Sequence, residues 1–477
     1  MDMLSSLASS GFFETFNQQV WNHRFLIGIV FFIFLIFKAI KIEVGERLGA
    51  LLMFIYFFLV IASFWITKPL KKGFFLEYYT THPFSLFSYS FNPAQVELLA
   101  KEVNVLMAIC ASLIFIKLVG TYRKEKLSVI VTSFFIALFV LLGGLLSMPT
   151  ATTAWLYYLS GDLFSTVMVA TFFAFLNATK APSQARNMYA FIGLGGVLGG
   201  FFGSTMIASN VHSLTLPNAA YLCALICVLI LGISIWLGAI TKEQHILGDA
   251  APDEYSKGGW LQELSQDINI IMRSKYLVSI AVIVCLYEVI STLVDYQFTA
   301  TILHFVEGPE LGGYFSKVFG FTNFVSLVTQ LFITGFILSK FGMLPALMVL
   351  PIMLAMGSLA FFTMPILIFG SLLNTFDNGF SYSINQSAKE ALYVTVPMEK
   401  RYKAKAFIDI FLIRFSKGFA VILSLLLTII FAEFESVRWL SLLVIILLLI
   451  WIKAVFFVGR LFNDNEVAII QNIKLDP

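Results

Sequence analysis

The chain has 477 residues, of which 59% are hydrophobic, 12% are charged and 51 are phenylalanine. A water-soluble domain carries about 25% charged residues, and buried volume does not grow fast enough with length to hide this apolar excess in a core. Lipid must cover it, while a net charge of only +3 with no basic tail or aromatic–basic cluster excludes nucleic acid as a partner.

The N-terminus lacks a basic stretch followed by a small-residue cleavage site, so no removable signal peptide is expected. No Ser/Arg-rich transit segment is visible either, which points to a bacterial inner membrane. Residues 1–46 form an N-terminal segment whose apolar run, Phe25 to Ile40, is barely long enough to cross. It is either a thirteenth span or a helix lying in the interface.

Crossing the hydrocarbon takes about 20 apolar residues in a helix. Such runs follow at 47–68, 98–119, 127–147, 153–178, 188–208 and 217–240, a six-span half over 47–240. The most polar stretch, 241–275, comes next. Asp249 to Gly259 looks irregular, and from Trp260 to Met272 the residues Trp260, Leu261, Leu264, Ile268 and Ile271 recur at helical spacing, as in a short amphipathic surface helix. Six further runs, at 276–303, 312–338, 344–366, 367–396, 404–432 and 436–458, make a second half over 276–458, with a cytoplasmic tail over 459–477. The expected fold class is an all-α polytopic membrane protein, major-facilitator-like, with two six-helix halves joined by a cytoplasmic linker.

Positive charge sets the orientation. Arg123, Lys124, Lys126, Lys180, Arg186, Lys242, Lys275, Lys340, Lys400 and Lys403 crowd the loops after the even-numbered spans, which the positive-inside rule makes cytoplasmic. Lys68, Lys71 and Lys72 break the pattern, because they sit at the end of span one on the outer side. Topology does not account for them.

Ionisable groups inside a bilayer cost about 2.5–3.5 kcal/mol each on insertion scales, so each asks for a partner or a task. Asp162 lies inside span four. Glu288 and Asp295 share one face of span seven, two turns apart. Asp377, Lys389 and Glu390 fall in span ten, and Asp409, Arg414 and Lys417 in span eleven. Internal ion pairs that fix helix packing are the plainer reading for Asp377, Lys389, Glu390, Asp409 and Arg414. Lys71, Asp162, Asp295 and Lys417 are the candidate substrate-binding residues, with Lys68, Glu288, Lys389 and Asp409 as secondary candidates. Lysines attract a polyanion, and carboxylates that pair with those lysines in the empty site let it leave again.

The glycine run GLGGVLGG, Gly193 to Gly200, lies inside an apolar span with no preceding strand and no Lys-Ser/Thr after it. Close helix packing through small residues explains it better than a phosphate loop does. Cys110, Cys223, Cys227 and Cys285 all fall in apolar runs and read as packing residues, with no disulfide framework and no metal expected. No cofactor is expected either. Nothing resembles a nucleophile elbow, a zinc motif or a nucleotide-hydrolysing P-loop, so the chain reads as a non-enzyme.

The stretch Tyr382 to Lys417 resembles the ATP/ADP translocase family of plastids and obligate intracellular bacteria. The family pattern is a Lys-Glu pair, a Tyr, a Pro and a Lys-Gly-Lys-Ala-x-Ile-Asp block. Here Lys389, Glu390, Tyr393, Pro397, Lys403, Lys405, Ala406, Ile408 and Asp409 take those places, with Ala404 for the glycine. Lys417 falls on the family's transport lysine eight residues after the aspartate. In KPLKK, Lys71 falls on the functional lysine of an Arg-Asp-Thr-Lys-Asp motif. Asp295 in TLVDYQF and Asp162 in GDLFS take the places of two family glutamates. The departures are the two shortened acids, Pro69 and Lys72 in place of the acids flanking the lysine, Gln386-Ser387 in place of Asp-Pro, and Glu288 as an added acid.

The resemblance implies a monomeric nucleotide transporter working by alternating access, with Lys71 and Lys417 on the phosphates and Asp162 and Asp295 tuning release. Two alternatives stay open from the residues alone. One is a proton-coupled carrier of another anionic metabolite on the same scaffold. The other is a non-transporting membrane scaffold or sensor.

Overall fold

A computed structural model describes residues 47–86, 89–179, 182–210, 213–241, 271–396, 404–405, 407–430 and 434–475. The expected N-terminal helix over Phe25 to Ile40, most of the linker 241–275, Pro397 and Lys403 lie outside these residues. Ten of the described helices are long and apolar enough to cross a membrane. The residues cluster into two compact units. The first holds the helices before the linker together with Val306–Asn323, and the second holds the rest of the C-terminal part.

In the first unit, α1 (Arg47–Thr81) is the central element. It is followed by a two-stranded hairpin, β1 (Phe84–Leu86) and β2 (Tyr89–Phe91), whose register pairs Phe84 with Phe91. Next come α2 (Pro93–Thr121), α3 (Lys124–Leu145), α4 (Ala151–Thr179), α5 (Pro182–Asn210) and α6 (Leu216–Thr241). α2 starts sharply because Asn92 and Gln95 cap each other's backbone N–H, each at 2.9 Å, and Pro93 presets the first turn. α1 packs on α4, α5 and α6, and α3 on α4 and α6. A buried hydroxyl chain, Tyr56 to Ser128 to Ser234, links α1, α3 and α6 at 2.8 and 2.7 Å, so these polar groups are satisfied within the core.

The contact between α1 and α5 explains the glycine run. An added Cβ at Gly195, Gly199 or Gly203 would lie 2.7, 2.3 and 2.5 Å from the carbonyl oxygens of Phe54, Phe58 and Ala62. Four-residue spacing on both helices therefore brings backbone against backbone, as small-residue packing requires.

One expectation needs correction. Lys68, Lys71 and Lys72 do not sit at the end of span one, because α1 runs on without a break to Thr81. Lys71 is ten residues, about 15 Å, short of that end. Pro69 sits inside the helix and removes one ladder hydrogen bond without ending it. Lys71 and Lys72 are tolerated there because carboxylates from other helices meet them, and Lys68 lies over aromatic rings.

The second unit contains α7 (Lys275–Phe305), followed in the chain by α8 (Glu310–Val328), whose residues up to Asn323 belong to the first unit. Beyond a π-helical turn, Thr329–Thr334, come α9 (Gly335–Lys340), α10 (Met343–Thr363) and α11 (Leu367–Phe380). The run expected as one span over 367–396 is interrupted by a second π segment, Ser381–Asn385, before α12 (Gln386–Leu392). The run over 404–432 includes the π segment Phe407–Leu412 and α13 (Ile413–Ile430). π turns inside helices mark places where the regular ladder yields to local demands, and both runs are rich in polar side chains. After α14 (Phe434–Val437), α15 (Leu440–Leu475) continues well past 458, into the stretch expected as a separate tail. α7 packs on α11, α13 and α15, and α10 on α11 and α15.

Gly199→Ala is expected to lower stability by about 1–3 kcal/mol through overpacking, read as a lower melting temperature in detergent. Gly193→Ala, where an added Cβ meets nothing within 4 Å, is expected to leave the melting temperature unchanged.

Candidate functional site

The candidate residues fall in two groups, one in each unit. In the first, Lys71 of α1 is almost fully buried, with its side chain 4% exposed, and its Nζ lies 2.6 Å from a carboxylate oxygen of Asp162 on α4. The ammonium also donates to the Tyr158 carbonyl at 3.0 Å and lies 4.6 Å from the centre of the Tyr158 ring. Asp162 itself is 40% exposed and accepts a hydrogen bond from the Asn104 side chain of α2. The buried charge is thus reached through its exposed counter-ion.

Local sequence makes room for this arrangement. A Cβ at Gly161 would lie 2.7 Å from Lys71 Cδ, so the glycine beside Asp162 is what lets the lysine stem pass. The next residue has its own partners. Lys72 pairs with Glu97 of α2 at 3.1 Å, Lys101 approaches the same carboxylate at 3.5 Å, and the Tyr158 hydroxyl donates to it at 3.1 Å. Tyr158 therefore serves both lysines, its carbonyl holding Lys71 and its hydroxyl steadying the acid that holds Lys72. Lys68, one turn earlier, lies over the Trp65 and Phe319 rings at 4.3 and 5.0 Å, a cation–π setting.

In the second unit, Glu288 of α7 lies within electrostatic range of Lys417 on α13 and Lys389 on α12. Ser416 donates to Cys285 at 3.0 Å, fixing α13 against the same part of α7. Asp295 is half-buried two turns further along α7. Glu390 pairs with Lys405 at 2.5 Å, both side chains being more than a third exposed. The backbone of Asp409 lies in the π segment Phe407–Leu412. Asp377 is buried and accepts the Ser291 hydroxyl at 2.6 Å, and Tyr287 and Ser381 bond at the same distance.

The structure thus pairs Lys71 with Asp162 and puts both Lys417 and Lys389 within electrostatic range of Glu288. Sequence reasoning missed Glu97, Asn104, Tyr158 and Gly161. Glu97 and Lys101 carry a signal, being charges one turn apart at the start of an apolar run. Asn104, Tyr158 and Gly161 carry none, since each matters only through the helix packed against it. Among the described residues no three His, Cys, Asp or Glu side chains gather as a metal site would need, and all four cysteines are free thiols.

Long apolar helices in two units, with paired charges inside them, define a multi-pass membrane protein with a major-facilitator-like fold. Solved transporters share the fold: nucleoside transporter NupG with a TM-score of 0.56 at 12% identity over 86% of this chain and 99% of that one, and peptide transporter POT in complex with sulfate with a TM-score of 0.58 at 12% identity over 87% and 95%. The TLC ATP/ADP transporter family matches residues 142–368 and 364–462, and the chain belongs to it. Its relatives include ADP,ATP carrier protein 1 of Chlamydia trachomatis serovar D, 23% identical over 68% of each chain. ADP,ATP carrier protein 3 of Rickettsia conorii is 26% identical over 62% of this chain and 68% of that one.

Asp162→Leu alone leaves Lys71 buried without its counter-charge. Given the 40% exposure of Asp162, it is expected to cost about 1–3 kcal/mol. The double variant Lys71→Met/Asp162→Leu is expected to recover most of that loss in thermal unfolding.

Proposed function

We propose that the protein exchanges nucleotides, ATP and ADP foremost, across a bacterial inner membrane by alternating access, with one chain as the working unit. The observation that carries this reading is the Lys71–Asp162 pair. A lysine buried in a membrane helix, with a half-exposed carboxylate as its counter-ion, is a phosphate site with a built-in competitor. An incoming phosphate takes the carboxylate's place on the ammonium through a charge-assisted hydrogen bond. The returning carboxylate then takes the ammonium back, so the site does not hold its polyanion permanently. In the second unit the exposed Lys417 stands within electrostatic range of Glu288, and we assign it the second phosphate contact. Asp295, on the same helix as Glu288, is assigned to tuning release. Family membership and the named carrier relatives support the choice of a nucleotide over other anions.

The test is uptake of labelled ATP into proteoliposomes. Uptake is expected to depend on ADP or ATP inside the vesicle, and absence of uptake or counterflow with every nucleotide contradicts the proposal. Lys71→Ala and Lys417→Ala are each expected to reduce transport by roughly tenfold to a hundredfold, the worth of one hydrogen bond to a charged group, while Lys340→Ala is expected to leave it unchanged.

A further inference from the structure

Asn374 of α11 is a buried amide that takes part in none of the ion pairs. Its side chain is 0% exposed, and neither the amide nitrogen nor the amide oxygen has a hydrogen-bond partner. Such a group inside a protein is costly and asks for an explanation.

Its position follows from its neighbours. A Cβ at Gly370 would lie 3.1 Å from Thr301 of α7. Asp377 accepts the hydroxyl of Ser291 on α7, and Ser381 meets Tyr287 on α7. Residues 370, 374, 377 and 381 recur at the spacing of a single helix face. Asn374 therefore lies in the row that faces α7, one turn from Asp377, between two contacts that join the same pair of helices. The Asp377 carboxylate, the Asn374 amide and the Ser291 hydroxyl thus fall along one seam between α7 and α11.

We propose that this seam is a sodium-ion site, formed by the Asp377 carboxylate, the Asn374 amide oxygen and the Ser291 hydroxyl oxygen. Hard cations take oxygen ligands of these three types, and the one carboxylate matches one positive charge where a divalent ion would be left uncompensated. A proton on Asp377 would neutralise that carboxylate but give Asn374 no partner, whereas a metal ion engages both. When the ion binds, the Ser291 hydroxyl keeps its hydrogen toward the carboxylate and turns a lone pair to the ion. Occupancy would pin α7 to α11. Because α7 carries Glu288 and Asp295, the ion would couple to the substrate through that helix. The coupling rests on the nucleotide-exchange reading, and the binding does not.

The experiment is thermal unfolding of the purified full-length protein in sodium, potassium or choline chloride at one ionic strength, with ATP added in a separate arm. Sodium is expected to raise the melting temperature saturably over choline and potassium. Asp377→Asn should abolish that rise, and Asn374→Ala should weaken the apparent sodium affinity about tenfold, the loss of one interaction with a charged partner. Ser291→Ala, a gentler change, is expected to weaken it in the same direction and serves if the other variants do not fold. Equal stabilisation by the three salts, or a sodium response unchanged in Asn374→Ala, overturns the site. A sodium response without an ATP response leaves the site standing and removes the nucleotide instead.

Discussion

An ammonium ion inside a membrane helix is the constraint to which the first unit is built. Removing Lys71 from water is tolerable only where negative charge and carbonyl oxygen meet it. Asp162 and the Tyr158 carbonyl supply both, at 2.6 and 3.0 Å. That requirement fixes the register of α1 against α4, forces a glycine at position 161, and lets α1 continue through its lysines to Thr81. The adjacent Lys72 recruits Glu97, which ties α2 to the same centre. Three helices are positioned by two charges.

The rest of the first unit keeps that centre rigid. The glycine row of α5 lies against the carbonyls of α1, and the Tyr56–Ser128–Ser234 chain clamps α3 and α6 to it. α7 has the corresponding place in the second unit. It carries Glu288 within electrostatic range of Lys417 and Lys389, and its row of Tyr287, Ser291 and Thr301 faces α11 and the π turn that follows it. In both units a long central helix carries charge and its neighbours supply the answering groups. This division suits transport, because the answering groups can be exchanged for parts of a charged substrate.

Much of this was legible in the sequence, for identifiable reasons. Apolar run length located the helices, since a span needs a fixed number of residues, and the small-residue spacing within Gly193 to Gly200 announced a close crossing. Lys71 and Asp162 were conspicuous because a charge in an apolar run is expensive. Their pairing also drew on the family resemblance. Helix ends were not legible. α1 continues past Lys72 because its lysines are paired, and the pairing partners lie far along the chain. The hairpin over Phe84–Phe91 left a signal in the alternation of Ser85 and Ser90 with apolar residues that span counting passed over. The π turns at 381–385 and 407–412, and the roles of Asn104, Tyr158 and Gly161, depend on tertiary contact and have no local signature.

The central claim is that Asp162 competes with the substrate's phosphates for Lys71. Nucleotide binding to purified Asp162→Asn measures this competition most directly, because asparagine keeps the shape and removes the charge. The variant is expected to bind ATP more tightly than the parent while its turnover in vesicles slows, the competitor that releases the phosphate having been removed. Weaker ATP binding by Asp162→Asn would contradict it, and would make Asp162 a support for the substrate instead of its rival.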